Sequence, residues 1–482
     1  MRKAWILPLG LVVIAASLAS CRAWRHPDTP ERVLLLTPVP GEGLDEATAD
    51  VLGSLLTDEL ETRANLAVTN ESALAQPFLP DGPLIVVRPL ARREGDRLAL
   101  SLEWAEMGPG LQGGWHRGDA GAMAPSQAIE SALRNLPLQL SPPDPALLPR
   151  GPDVFWALLE ADSAVFRNQD LDGALDRVQS IALKEPNCAY LHETLAHIDM
   201  IRTLQDAHRL DGHVEFALAA VNRALTLSPG YPRALRNATR LLSDQGQQAE
   251  AMTRLQAGLQ RHPRSLNLLF ALDYAARTAG LMDIALAARA RIATLWAGAP
   301  DPPPTGFSYL YGGQMDAFEA SFRPFPGETV NGFTAFYLGY ADLLRNRPAD
   351  AEPHFQAVEQ NLATEDHYRR LAKVFRFAIE GKRDDARTAL DLLDRDRVGL
   401  QVPDGEFTFT MAEAAGYLEE EGRAMDLAQR AFSQGFTCSD WYRASPFLAK
   451  VQSLPRWRAI LQHVDARRAR VAGSLKPKDF GL

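Results

Sequence analysis

Residues 232–263 read PRALRNATRLLSDQGQQAEAMTRLQAGLQRHP. Two stretches with apolar residues at helical spacing flank Gly246, and the unit closes on Pro263. The unit before it ends AVNRALTLSP at Pro229, 34 residues earlier. Working outward, Gly246 stands five positions before Ala251, and the same pairing recurs at Gly280 and Ala285, Gly312 and Ala317, and Gly381 and Ala386. Equivalent alanines fall at 174, 217, 251, 285, 317, 351, 386 and 424, with spacings of 43, 34, 34, 32, 34, 35 and 38. A small residue lets two helices approach closely, and a glycine turns the chain between them. Eight such positions in series specify stacked helix pairs.

This spacing and the paired Gly and Ala resemble the tetratricopeptide (TPR) repeat. The resemblance implies about eight repeats over residues 153–470, with a polar tail at 471–482. The fifth repeat opens with DPPPTGFSYLY, residues 301–311, which is too rich in proline for a full first helix.

Residues 32–141 carry a different pattern. RVLLLTPV is an apolar run of strand length, and Ala47, Val51, Leu55, Leu56 and Leu60 recur at helical spacing. LAVTN reads as a second strand and ESALAQ as a helical turn. Two arms flank the Glu94-Gly95-Asp96 turn, and Leu98, Leu100, Leu102 and Trp104 alternate along the second, the period of a half-buried strand. GGWHRGD adds a further strand, and Ser126 is the expected N-cap of a helix with Glu130 in its first turns. PPDPALLPRGP, residues 142–152, reads as a proline-rich linker. The fold class expected is therefore α + α/β: a small N-terminal α/β domain followed by an all-α TPR solenoid. RVLLLTPV, ARREGDRLALSLEW, FALAAVNRALTLSPGYPRALRNA and the closing GFTCSDWYRASPFLAKVQSLPRWRAIL resemble a known combination. In it a domain similar to the TolB amino-terminal domain precedes TPR repeats, in the sensory parts of winged-helix regulators, adenylate cyclases and bacterial Ser/Thr kinases. The stretched second repeat fits that resemblance. No kinase, cyclase or winged-helix segment accompanies it here.

The chain opens with Arg2 and Lys3, then the apolar AWILPLGLVVIAAS, too short for a spanning helix, which needs about 20 residues. Residues 1–20 read as a secretion signal. Leu18 to Cys21, LASC, resembles the lipobox of bacterial lipoproteins, which implies acylation of Cys21 and a short tether over 21–31. An ordinary signal peptide with a chance cysteine is the alternative. The resemblance implies anchoring at the periplasmic face of a membrane. Arg22 rather than Asp after the cysteine favours the outer over the inner membrane. Cys188 and Cys438 lie at opposite ends of the repeats, so no disulfide is expected. The net charge is −9, and −11 without Arg2 and Lys3, which argues against nonspecific nucleic-acid binding. Arginine outnumbers lysine 44 to 7.

HETLAH, residues 192–197, places its histidines at i and i+5, where the rings diverge around a helix instead of sharing a metal. His192, His197, His208 and His213 fall close in sequence, but solvated helix faces explain them more simply than a metal site. No catalytic motif or phosphate-binding loop is present, so neither an enzyme nor a cofactor is expected, although a site assembled from distant residues stays open. A helical solenoid instead offers a concave groove lined by the first helices of its repeats. The groove-facing positions hold Tyr190, Glu193 and His197, then Arg233, Arg236 and Arg240, then Asn267, Phe270, Tyr274 and Arg277. Arginines hold carboxylates bidentately. The partner this strip suits is a protein with an acidic segment or chain end. The alternative is that these arginines are solvated or pair with neighbours such as Glu250. Three functions follow: a lipid-anchored scaffold, a sensory or accessory protein binding a small ligand, and an enzyme with an unrecognised site.

Overall fold

The computed structural model describes residues 32–71, 82–108, 111–167, 170–205, 213–297, 306–323, 330–361, 364, 366–398, 404–473 and 475–482. Cys21, residues 72–76 of ESALAQ and His208 lie outside them, and Glu71 belongs to a strand.

The N-terminal part is a mixed sheet with helices on one face. Its elements are β1 (Arg32–Leu36), β2 (Val39–Pro40), α1 (Glu46–Ala64), β3 (Ala67–Glu71), β4 (Leu84–Glu94), β5 (Arg97–Gly108), β6 (Leu111–Gln112), β7 (His116–Met123) and α2 (Pro125–Arg134). The strand order is β3-β1-β4-β5, with β2 on β4 and both β6 and β7 on β5. β1 runs parallel to β3 and β4, and the β4–β5 hairpin is antiparallel with Glu94 opposite Arg97. Gly95 takes a φ of 66° in the turn, a conformation glycine enters without strain. Ser126 is not the N-cap of α2. Ala124 occupies that position and Pro125 starts the helix, because proline is pre-set for a first turn and gives up no needed N–H.

The helical part begins at α3 (Pro152–Phe166) and α4 (Leu171–Ala182). It continues as α5 (Ala189–Gln205) with α6 (His213–Leu227), α7 (Pro232–Asp244) with α8 (Gln248–Arg261), and α9 (Leu266–Thr278) with α10 (Met282–Leu295). The fifth pair is stunted, α11 (Phe307–Tyr311) with α12 (Met315–Ser321). Then follow α13 (Gly332–Leu344) with α14 (Pro348–Gln360), α15 (Asp366–Ile379) with α16 (Arg383–Arg397), and α17 (Gly405–Tyr417) with α18 (Glu421–Ser433). The chain ends in α19 (Ser439–Ala444), a short helical turn, α20 (Pro455–Ala472) and a turn at Pro477–Phe480. The eight alanines sit in the second helix of each pair, and seven are at most 1% exposed; Ala317, in the stunted pair, is half-buried. A left-handed residue precedes them by five positions at Gly246, Gly280, Asn346, Gly381 and Glu419. In the fifth pair the positive φ falls on Gly313 and not on Gly312.

Two features depart from an open solenoid. The sheet's inner face (Val33, Leu35, Ile85, Val87, Leu98, Leu100, Leu102) packs with α1 and α2 and also with Phe155, Leu158 and Leu159 of α3. One apolar core thus runs from the α/β part into the first repeat, beneath the linker. The linker is itself pinned: the N–H groups of Ala189 and Tyr190 donate to the carbonyls of Ala146 and Leu147. The far end also folds back. Gln248 donates to the carbonyl of Gly435, and the Thr437 N–H donates to the Thr278 carbonyl at 2.7 Å. The tail is not merely polar. Phe480 is 2% exposed and joins the core of α8, α9 and α10, with Leu475 and Leu482 packed beside it. Val471, Leu475, Phe480 and Leu482 together fasten the tail to that core.

Candidate interaction surface

Pro232 fixes the first turn of α7, so Arg233, Asn237 and Asp244 share one stripe at spacings of four and seven, with Arg236 and Arg240 beside them. This is the expected inward face, but it is largely occupied. The guanidinium of Arg233, 4% exposed, lies between two fully buried carboxylates, 2.9 Å from Asp162 of α3 and 2.9 Å from Glu193 of α5. Tyr190 donates its hydroxyl to Asp162 at 2.9 Å, and Asn237 donates to Glu193 at 2.6 Å. His197 approaches Asp162 at 3.5 Å. Burial works against ionisation of Asp162, yet the charge of Arg233 overrides it and holds the carboxyl below its usual range.

The α/β part supplies the next layer. Asp58 of α1 accepts from the hydroxyl of Tyr231 at 3.0 Å. Burial pushes Asp58 up to about 8, with the nearby Glu193 and Glu61 adding to the rise against Arg233, which favours its protonated form. Glu61 caps α9 from outside, accepting from the N–H of Leu266 at 2.9 Å, Ser265 at 2.7 Å and Asn267 at 2.9 Å. A carboxylate there satisfies otherwise orphaned helix N–H groups and meets the positive end of the dipole. Asn267 accepts in turn from Arg236 at 2.7 Å.

Farther along, Arg277 reaches across to α17 and holds Glu406 through two bonds of 3.0 Å, with Asp273 at 3.5 Å. Tyr274 donates to Asp244, and Arg240 lies 3.9 Å from the same carboxylate.

The expected groove set therefore divides. Tyr190, Arg233 and Arg277 are buried and committed to Asp162, Glu193 and Glu406, a correction to their reading as an open partner surface. The physical reason is that a guanidinium removed from water must be paired, and three acids on other helices pair these. Arg240 is exposed, while His197, Arg236, Asn267, Phe270 and Tyr274 are half-buried. These last residues form the part of the strip that solvent reaches. Sequence spacing identified the face; it did not identify Asp58, Glu61 or Glu406 as occupants. The one available signal was Asp162, an acid set among the apolar residues of PDVFWALLEADSAVF.

His192 turns to the Pro186 carbonyl at 2.9 Å, away from His197. Among the described residues no group of three His, Cys, Asp or Glu is placed to hold a metal. Cys188 and Cys438 are both buried and free. A cleft of about 630 Å³ lies between α2 and the linker, with Glu59, Glu130, Arg134, Asp144, Leu148 and Arg150 among its walls. Burial pushes Glu59 up to about 7, despite Arg63 at 3.3 Å.

No family model and no curated protein matches the chain. Solved structures do. A chain of the APC/C hetero-tetramer Cut9-Hcn1 is similar at 11% identity over 70% of this chain and 77% of that one, with a TM-score of 0.34. A tetratricopeptide repeat protein from Parabacteroides merdae ATCC 43184 is similar at 14% identity, covering 65% of this chain and 100% of that one, TM-score 0.26. The TPR domain of P58(IPK) is similar at 11% identity, covering 67% and 99%, TM-score 0.20. The repeat architecture stated above rests on this chain's own helix pairs and alanine lattice.

Proposed function

We propose that this chain is a non-enzymatic protein-binding module, held at the periplasmic face of a membrane by lipid on Cys21, the outer membrane in preference to the inner. Its TolB-like part serves as a built-in wedge that fixes the repeats in one shape. The observation that carries the binding reading is the solvent-reached strip of Arg236, Arg240, Asn267, Phe270 and Tyr274, which combines guanidinium, amide and ring on adjacent first helices. That chemistry suits an acidic segment of a partner protein. Crosslinking in native membranes followed by mass spectrometry tests it. The pair Arg236→Glu and Arg240→Glu, checked for fold by circular dichroism, is expected to abolish partner recovery; undiminished recovery removes this surface from the proposal. Cys21→Ser tests the anchor separately, because a protein that still partitions into detergent is not held by lipid.

The cleft beside the linker supports a second reading, a sensor or accessory protein for a small ligand. Its volume suits a small molecule, and it sits where two parts of the chain meet. A ligand there raises the melting temperature in a thermal-shift screen, and Arg134→Glu removes the rise. No rise with any compound leaves the scaffold reading alone.

A further inference from the structure

The end of the chain departs from the acidic balance of the rest. Residues 466–482, ARRARVAGSLKPKDFGL, carry Arg467, Arg468, Arg470, Lys476 and Lys478 against a single acid, Asp479, in a protein of net charge −9. Their apolar side chains face inward: Val471 and Phe480 are buried in the core of α8, α9 and α10. Two of the five charges are engaged: Arg468 pairs with Asp440 at 2.9 Å, and Arg467 donates to the Phe432 carbonyl at 2.7 Å. The other three face out. Arg470, Lys476 and Lys478 are exposed, and among the described residues none of the three has an ion pair. Asp479 is turned back on the backbone, accepting from the Lys476 N–H at 2.7 Å. Arg467 lies over the ring of Phe432 at 3.9 Å, and Arg470 is close enough to depress its basicity further after burial has done so.

The position of this patch is also defined. The tail rests on α8 and α10, and the carbonyl of Trp296, just past the end of α10, accepts from Arg32 at 3.5 Å. α10 has 14 residues, so it is about 21 Å long. The tail therefore lies no farther from Arg32 than roughly that length plus a side-chain contact. Residues 22–31 span at most about 35 Å when extended. A bilayer holding Cys21 is then within reach of the tail.

We propose that the basic tail, centred on Arg470, Lys476 and Lys478, is a second membrane contact that docks on anionic phospholipid headgroups. Its nearness to the bilayer rests on the anchored reading above; its affinity for anionic lipid does not. The attraction is electrostatic with no inserted apolar side chain, so it is salt-sensitive.

The experiment uses residues 22–482, made without acyl chains, and sedimentation with vesicles. Vesicles of 3:1 phosphatidylethanolamine to phosphatidylglycerol are expected to carry the protein down at low salt, and phosphatidylcholine vesicles to leave it in solution. Salt at about 0.5 M releases it, as the screening length shortens. Arg470→Glu, Lys476→Glu and Lys478→Glu together weaken binding by more than about tenfold, while Arg458→Glu, an exposed change elsewhere on α20, leaves it intact. Equal binding to both vesicle types, or a triple variant that binds as the parent does, overturns the proposal. Retention on polyglutamate with no vesicle binding overturns it in favour of an acidic protein partner. Because this chain has no lipid, its result is independent of the Cys21→Ser partition test.

Discussion

The early repeats and the late ones fill the same lattice with opposite materials. Between α3 and α9 the inward face is charged, with Arg233 between Asp162 and Glu193, and Arg277 of α9 reaches across to Glu406 of α17. Between α11 and α17 it is aromatic. Phe336 has the rings of Tyr337, Phe355, Tyr368 and Phe375 at 5.0, 5.8, 5.2 and 6.4 Å, and Phe307 meets Tyr337 at 4.6 Å. Both interiors are built on alanines buried at the helix crossings. The lesson is that the alanines and left-handed turns set how two helices of a pair meet. What faces inward is a separate choice, between paired charge and ring volume.

Two substitutions of similar size break that contrast most sharply. Arg233→Met leaves Asp162 and Glu193 buried without their cation and costs about 3–5 kcal/mol in urea unfolding at pH 7. Phe336→Ala empties an aromatic site and costs about 3–5 kcal/mol. The two part with pH. The cost at Arg233 shrinks on acidification because the orphaned carboxyls take up protons, and the cost at Phe336 stays flat. Matching pH profiles would erase the distinction.

The aromatic half has one test of its own. Glu413 is buried among neutral donors, the hydroxyl of Tyr340 at 2.6 Å, Ser445 at 2.7 Å and the indole N–H of Trp441 at 3.0 Å. Burial, only partly offset by these three donors, pushes it from 4.5 up to about 7. Across that interval the folded state binds more proton than the unfolded state, so stability falls as pH rises from about 4.5 to about 7 and is level above. The contribution is about 3 kcal/mol. Glu413→Gln flattens this portion of the pH–stability curve, and an unchanged slope assigns it elsewhere.

A smaller effect separates the two halves at their turns. Gly280 (φ 75°) lies in the closing contact, where an added Cβ would stand 2.9 Å from the Thr437 carbonyl oxygen. Gly381 (φ 77°) has open space around it. Gly280→Ala is expected to cost about 2 kcal/mol or more and Gly381→Ala about 1 kcal/mol, read from thermal melts. The smallest effect is a gain. Glu419 holds a φ of 64°, and Glu419→Gly relieves that strain by under about 1 kcal/mol, at the expense of exposed pairs with Arg383 and Lys450.

The repeat lattice was legible because its requirements are local: a small residue at each crossing, a left-handed residue five positions before five of them, and prolines that stunt the fifth pair. The occupants of the groove were not. Arg233 and Asp162 are 71 positions apart, and Arg277 and Glu406 are 129 apart. Helical spacing says which face a side chain takes, and says nothing of which distant helix will meet it. Ser126 failed as a cap for a local reason: the adjacent Pro125 had already taken the first helical position. Phe480 was illegible because a lone aromatic in a basic tail has no period.

The bond from Gln248 to Gly435 spans 187 positions, and Phe480 seats on helices completed near residue 295. In an open stack each unit can settle on its neighbour as soon as it emerges. Here the middle of the chain has to wait for the last few dozen residues before its own turns are sealed. Such distant closures slow folding, so the protein is committed late: most of its length must be delivered before any of the central repeats becomes final. A nick or truncation near the end would be felt first in the middle.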